Sequence, residues 1–228
     1  MMESEVEFAR LREEMVRRQI ERRGIRDPRL LEAMRSIPRH LFVPAGEAER
    51  AYNDGPLQIG SGQTISHPYI VAVMTDLLEL KGDETVLEVG TGSGYQAAVL
   101  GKMARRVHTV ERYAGLARQA EAVLRRIGLA DVAIHVEDGS LGWPQGAPYD
   151  GILVTAAAPS VPRALLEQLA DGGRLVIPVG GQNGQDLQRW QRVGERFEQE
   201  SIFPVVFVPL RGESGWGEDE WERHSEWM

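Results

Sequence analysis

The apolar run Val86-Leu87-Glu88-Val89 passes directly into Gly90-Thr91-Gly92-Ser93-Gly94, and Tyr95 then opens a helical pattern. A buried strand that turns through three alternating glycines into a helix constrains a fold strongly. Glycine adopts the left-handed backbone such a turn needs and puts no Cβ between the main chain and a ligand, while the first N–H groups of the helix are left unbonded. The surrounding chain has the same rhythm. Apolar runs at 85–89, 107–111, 132–136, 151–155 and 174–179 alternate with helical patterns at 96–104, 114–127 and 162–170. Parallel strands need a crossover between neighbours, and the helices supply it, so the pattern predicts an α/β, doubly wound, mostly parallel sheet.

The flanks read differently. Phe8, Leu11, Met15 and Ile20 predict an amphipathic helix ending near Gly24. In a second helix Asp27 caps the N-terminus, Pro28 holds the first position, and Leu30, Leu31, Met34 and Ile37 face inward until Pro38. Residues 39–68 hold several glycines and prolines with little periodicity and read as an ordered loop region; a helical pattern returns at 70–80. Runs at 187–193 and 197–210, joined at Gly194, predict late antiparallel edge strands. We therefore expect one domain over 1–210, with N-terminal helices and a lid in 1–69 and the sheet in 70–210. Residues 211–228 are acidic and bear Trp216, Trp221 and Trp227; a mobile tail is expected, with docking on the body or a partner subunit the alternative.

Composition removes several functions. The chain has no cysteine, so disulfides, thiol nucleophiles and thiolate metal sites are excluded, and no metal is expected. A formal net charge of −8 argues against nucleic acid as a partner. The only candidate basic patch, Arg10, Arg12, Arg17, Arg18, Arg22 and Arg23, reads as the solvated face of the first helix. No apolar run suits a membrane span and the start is acidic, so a soluble cytoplasmic protein is expected, its oligomeric state open with a monomer favoured.

The glycine spacing discriminates among ligands. A dinucleotide fingerprint wants a further glycine at Tyr95, and a phosphate loop wants Lys followed by Ser or Thr; neither is present. Gly90, Gly92 and Gly94 behind the acid Glu88 instead resemble the first motif of the Rossmann-like S-adenosylmethionine (AdoMet) methyltransferase fold. That resemblance implies AdoMet as cofactor and S-adenosyl-L-homocysteine as product, with Thr91 and Ser93 in the binding loop. Glu111, at the end of the second strand, can accept hydrogen bonds from two ribose hydroxyls. Asp138-Gly139, after the third strand, stand where related enzymes hold the adenine amino group.

The acceptor is suggested upstream. Pro56 to Tyr69, containing Gln63-Thr64-Ile65-Ser66-His67, resembles the signature of protein-L-isoaspartate O-methyltransferases. So do Ile37-Pro38-Arg39 with Phe42-Val43, Thr155-Ala156-Ala157-Ala158-Pro159, the run from Gly172 to Gly180, and Phe207-Val208-Pro209-Leu210. The resemblance covers about residues 15–210 and implies isoaspartyl peptides and proteins as partners. It places the active-site serine at Ser66, Thr64 beside the cofactor, and Ile65, Ser66 and His67 against the peptide, under a lid that Gly60 and Gly62 allow to close. Tyr69 departs from the histidine of some family members. Two alternatives stay open: a methyltransferase of this fold acting on a small molecule or RNA, and a noncatalytic AdoMet-binding module.

Overall fold

In the computed structural model, residues 2–217 and 220–223 are described. Helices α1 (Met2–Met15) and α2 (Pro28–Ser36) are followed by a hairpin of β1 (Leu57–Gly60) and β2 (Gln63–Ile65), then α3 (Pro68–Asp76). The body comprises β3 (Thr85–Val89), α4 (Tyr95–Met103), β4 (Arg106–Val110), α5 (Ala114–Arg126), β5 (Ala133–His135), β6 (Tyr149–Val154), α6 (Arg163–Glu167), β7 (Leu169–Gly181), β8 (Gly184–Val193) and β9 (Arg196–Val205), with α7 (Glu220–Arg223) last. The seven-stranded sheet runs β5-β4-β3-β6-β7-β8-β9, parallel from β5 to β7 and antiparallel through β8 and β9. Sequence order reverses between β3 and β6, and in open α/β sheets that is where a crevice opens at the strand C-termini.

Alternation along β3 explains why the sheet is covered on both faces. Val86 joins an apolar cluster with the N-terminal helices, α3 and α4, whereas Leu87 and Val89 join the opposite cluster with Ile152, Val154 and Leu165. Among the described residues no helix is long and apolar enough to cross a membrane.

The N-terminal pattern is refined rather than overturned. Met15 and Ile20 lie five residues apart, and the chain widens into a π-turn over Val16–Ile20 that brings both inside. Gly24 then stops the helix in the left-handed region at φ 107°. Asp27 accepts from the Arg29 N–H at 2.8 Å, as expected of a cap. The second helix ends at Ser36, and Ile37, ahead of Pro38, turns extended.

Several expectations are corrected. Residues 39–68 contain 3₁₀ turns and the β1–β2 hairpin in place of plain loop. Gly60 and Gly62 have φ of 94° and 68° at the hairpin tip, where they make its turn. The helix expected over 162–170 lasts only from Arg163 to Glu167, and the next strand already starts at Leu169. The late strand expected to reach 210 ends at Val205: the Gln185 side chain brackets Phe207, accepting from its N–H and donating to its carbonyl, in place of a strand ladder. The chain then crosses to the end of β6, where Ala157 N–H donates to Val208 O and Leu210 N–H to Ala157 O.

The tail is docked over 211–217 rather than mobile. Glu213 N–H donates to Asp138 and Ser214 N–H to the Ser140 hydroxyl, and Trp216 is buried. Trp227 lies outside the described residues.

Candidate active site

The loops after β3, β4, β5 and β6 surround one crevice, roofed by β2 and its exit. Lining it are Gln63, Thr64, Ile65 and Ser66 from the roof, Gly90, Thr91, Gly92 and Ser93 from the glycine turn, Glu111, and Gly139. The glycine requirement is steric at two of these positions. A Cβ at Gly90 would collide with the Thr155 hydroxyl, and one at Gly139 would stand 2.7 Å from Val89 Cγ1.

Glu111 is held rigidly. Its Oε2 accepts from Gly92 N–H at 2.8 Å and its Oε1 from Tyr113 N–H at 2.9 Å, so the carboxylate links the end of β4 to the glycine turn and keeps lone pairs for a ligand. Thr155 braces the same turn by donating to Gly90 O at 2.6 Å.

The roof has its own anchor. Fully buried Arg39 donates from Nε to Ala51 O and from an Nη to Ser66 O, both at 2.7 Å, and its guanidinium lies 4.7 Å from the Tyr95 ring centroid. Burial lowers its pKa to about 10, which still leaves it charged at neutral pH. In the sequence Arg39 is marked only by its place between Pro38 and His40 in a run otherwise apolar from Ile37 to Val43.

Ser66 is half-buried, and its hydroxyl has no hydrogen-bond partner among the described residues. The capping duty that a serine before Pro68 would ordinarily take is performed by His67, whose Nδ1 accepts from Tyr69 N–H at 3.1 Å. With Nδ1 an acceptor, Nε2 carries the proton toward Asp54 at 2.9 Å, and burial pushes the imidazole pKa down, so it is neutral at pH 7. Tyr69 faces away, beneath the Arg23 guanidinium at 3.6 Å. Arg23 thus has a partner; so do Arg10 and Arg18 in i,i+3 or i,i+4 pairs with Glu7 and Glu14, and Arg12 on Arg35 O.

His67, expected against the peptide, lines the neighbouring depression and not this crevice, and three residues expected to hold the cofactor also lie off the crevice wall. Glu88 is 0% exposed and points inside the sheet: Thr109 donates to its Oε2 at 2.5 Å, which leaves Thr91 to donate to Thr109 at 2.6 Å. It braces the loop through two hydroxyls, because the side chain before the turn faces inward by strand alternation. Gly94 begins α4, and a Cβ there would stand 2.9 Å from Ala120 Cβ, so it serves helix packing. Asp138 accepts from Ser140 N–H and hydroxyl and from Glu213 N–H, so its carboxylate is turned to the docked tail. Unanticipated walls are Arg112 and Tyr113 after Glu111, Val71 and Gln96 beneath, and Leu210 with Arg211.

Burial pushes the Glu88 carboxyl up to about 8, with nearby Glu111 adding to the rise against the Thr109 hydrogen bond. The folded state therefore holds a proton that the unfolded chain releases near pH 4.5, and stability is lost as pH rises from there through about 8. Glu88→Gln keeps the acceptor for Thr109 without the charge. Its stability relative to wild type should climb with pH, by on the order of 1–3 kcal/mol between pH 4.5 and 8. Calorimetric Tm differences that stay constant over that range contradict the assignment.

A parallel sheet reversing at a glycine turn, with an acid closing the next strand and a roof above, defines an AdoMet-dependent methyltransferase. The chain belongs to the protein-L-isoaspartate(D-aspartate) O-methyltransferase family, whose model matches residues 10–215. The protein-L-isoaspartate O-methyltransferase of Trichlorobacter lovleyi is 55% identical over 212 residues, covering 92% of this chain and 98% of its own. That of Syntrophus aciditrophicus is 53% identical over 212 residues, with 92% and 97% covered. A solved protein-L-isoaspartate O-methyltransferase superposes with a TM-score of 0.81 at 27% identity, over 90% of this chain and 67% of that one. A Plasmodium falciparum beta-aspartate methyltransferase in complex with S-adenosyl-L-homocysteine shares the fold, with a TM-score of 0.77 at 24% identity over 88% and 98%.

Proposed function

We propose that this chain transfers a methyl group from AdoMet to the free carboxylate of an L-isoaspartyl residue in damaged proteins. The observation that carries the reading is the unpartnered Ser66 hydroxyl, on the roof of the crevice whose floor is the Gly90–Ser93 turn. When bound, AdoMet supplies a methyl group activated by an adjacent sulfonium.

The residues present suit that group. Glu111 has lone pairs for the two ribose hydroxyls, the turn brings bare backbone alongside, and Gly139 and Tyr113 flank the remaining wall. Asp138 would reach the adenine amino group only if its present acceptance from Glu213 N–H were shared or released. The narrow part of the crevice holds ≈ 80 Å³ and opens through Thr64, Ser66 and Thr155 into a wider depression.

The acceptor needs no general base. A β-peptide-linked aspartyl residue carries an α-carboxyl, acidic enough to be ionised at neutral pH and itself the nucleophile. Ser66 donates one hydrogen bond that orients it, an uncharged donor being preferable to a tight ion pair that would blunt the attacking oxygen. Backbone at Ile65 and His67 holds the peptide. Transfer from a sulfonium to a carboxylate would cancel opposite charges, so a crevice that excludes water beneath Thr64, Ile65 and Ser66 would favour it. The ester is then displaced by the neighbouring backbone nitrogen, releasing methanol and giving a succinimide, whose hydrolysis restores some normal aspartate.

The absence of cysteine is compatible with a reducing cytoplasm. Transfer of radiolabelled methyl to an isoaspartyl peptide but not to its aspartyl twin is the expected result. Equal labelling of both, or of neither while S-adenosyl-L-homocysteine binds, overturns the acceptor assignment.

Arg39 is a positioning residue in this scheme, because it fixes the Ser66 main chain. Arg39→Lys cannot reach Ala51 and Ser66 together. We expect kcat to fall about 10-fold with S-adenosyl-L-homocysteine affinity within about 2-fold, the cost of a loosened reacting geometry. A loss confined to cofactor affinity contradicts that role.

A further inference from the structure

Beyond the crevice lies a second depression of ≈ 800 Å³, continuous with it through Thr64, Ser66, Thr155, Val208 and Pro209, which line both. Its far wall is apolar: Pro204, Val206, Phe207 and Trp221. Among the described residues that line it there is no Asp, Glu, Lys or Arg, in a chain that is 26% charged, and His67 at its edge is neutral at pH 7. Val206, just past the end of β9, is 94% exposed and lines the groove beside Phe207, so the apolar surface there is contiguous. Trp221 comes from beyond the sheet. Its ring meets buried Trp216 edge-on, with centroids 5.4 Å apart, and Trp216 N–H donates to Leu210 O at 2.7 Å. The C-terminal segment is thereby pinned so that one tryptophan anchors and the next forms a wall. β9 is the last strand of the sheet, so its outer edge is unpaired where it enters the groove at Pro204 and Val205.

We propose that this groove is an acceptor subsite for the residue next to the isoaspartate, that it selects an apolar side chain there, and that Trp221 is its specificity-determining wall. This rests on the isoaspartyl reading above. The occupant follows from continuity: a peptide whose carboxylate meets Ser66 must leave the crevice on one side or the other, and this is the neutral apolar channel that opens from Ser66. A flanking Leu covers Val206, Phe207 and Trp221 and removes apolar surface from water. A flanking Glu or Lys would exchange water for a wall whose described residues offer no counter-ion.

The test uses the full chain and isoaspartyl peptides differing only in one neighbour, Leu, Gly, Glu or Lys, placed before the isoaspartate in one set and after it in the other. At one of the two positions, kcat/KM for Leu should exceed that for Glu by about 10-fold or more, the usual yield of a hydrophobic specificity pocket. Trp221→Ala should reduce that ratio to about 2 by raising KM for the Leu peptide, with S-adenosyl-L-homocysteine affinity unchanged. Val206→Asp, a fully solvated change that spares the core, should lower the Leu rate and raise the Lys rate. Equal kcat/KM for Leu and Glu at both positions, or a preference untouched by both substitutions, overturns the subsite while leaving the methyltransferase reading intact. Absence of transfer to every isoaspartyl peptide overturns the acceptor reading and this inference with it.

Discussion

Ser66→Ala is expected to lower kcat on an isoaspartyl peptide by about 100-fold while the Kd for S-adenosyl-L-homocysteine moves less than about 2-fold. The separation follows from what the hydroxyl touches. It makes no internal hydrogen bond, so removing it leaves no buried group stranded, and α3 keeps its cap because that cap is His67. Stability should therefore be nearly unchanged. Loss is confined to the step in which a carboxylate must be aimed, and some activity survives because the nucleophile is ionised without help. Turnover equal to wild type removes Ser66 from the reaction; a matching loss of cofactor affinity assigns it to the binding wall instead.

Glu111→Ala should have the largest effect on cofactor binding, raising the Kd for S-adenosyl-L-homocysteine by about 100-fold or more, since hydrogen bonds to a charged group contribute about 1.5–3 kcal/mol each. The substitution also strands Gly92 N–H and Tyr113 N–H, so the glycine turn loosens even where it makes no direct contact. Glu111→Gln separates the two contributions. An amide presents one oxygen and one NH₂, so one of the two backbone donors faces another donor and loses its acceptor. We expect an intermediate loss of about 10-fold. Titration calorimetry giving wild-type affinity for Glu111→Ala defeats the ribose assignment outright.

The sheet was legible because buried strands and amphipathic helices have different periods, and five apolar runs alternated with three helical ones in chain order. Four of those five strand runs match observed strands to within about two residues at each end, the usual uncertainty of an element boundary; the fifth, expected over 174–179, lies inside a longer strand, Leu169–Gly181. Side-chain direction was the part that spacing left open. Glu88, Gly94 and Asp138 belong to motifs at the right place in the chain, but the direction of each side chain depends on partners far away: Thr109 for Glu88, Ala120 for Gly94, and the amide of Glu213 for Asp138. The end of β9 likewise depends on Gln185, 22 residues from Phe207.

Local order therefore came from the chain itself: strand–turn–helix rhythm, the glycines at the switch point, and the acid that closes the next strand all follow from backbone sterics and spacing between near neighbours. Tertiary packing decided which of those side chains line the crevice, that Arg39 ties the roof at Ser66 to Ala51 and stacks on Tyr95, and that residues 213 and 214 lie against Asp138 and Ser140. The physical reason is that propensity and periodicity act over a few residues, whereas the aim of a carboxylate or hydroxyl is set by hydrogen bonds that close only once distant segments have been brought together.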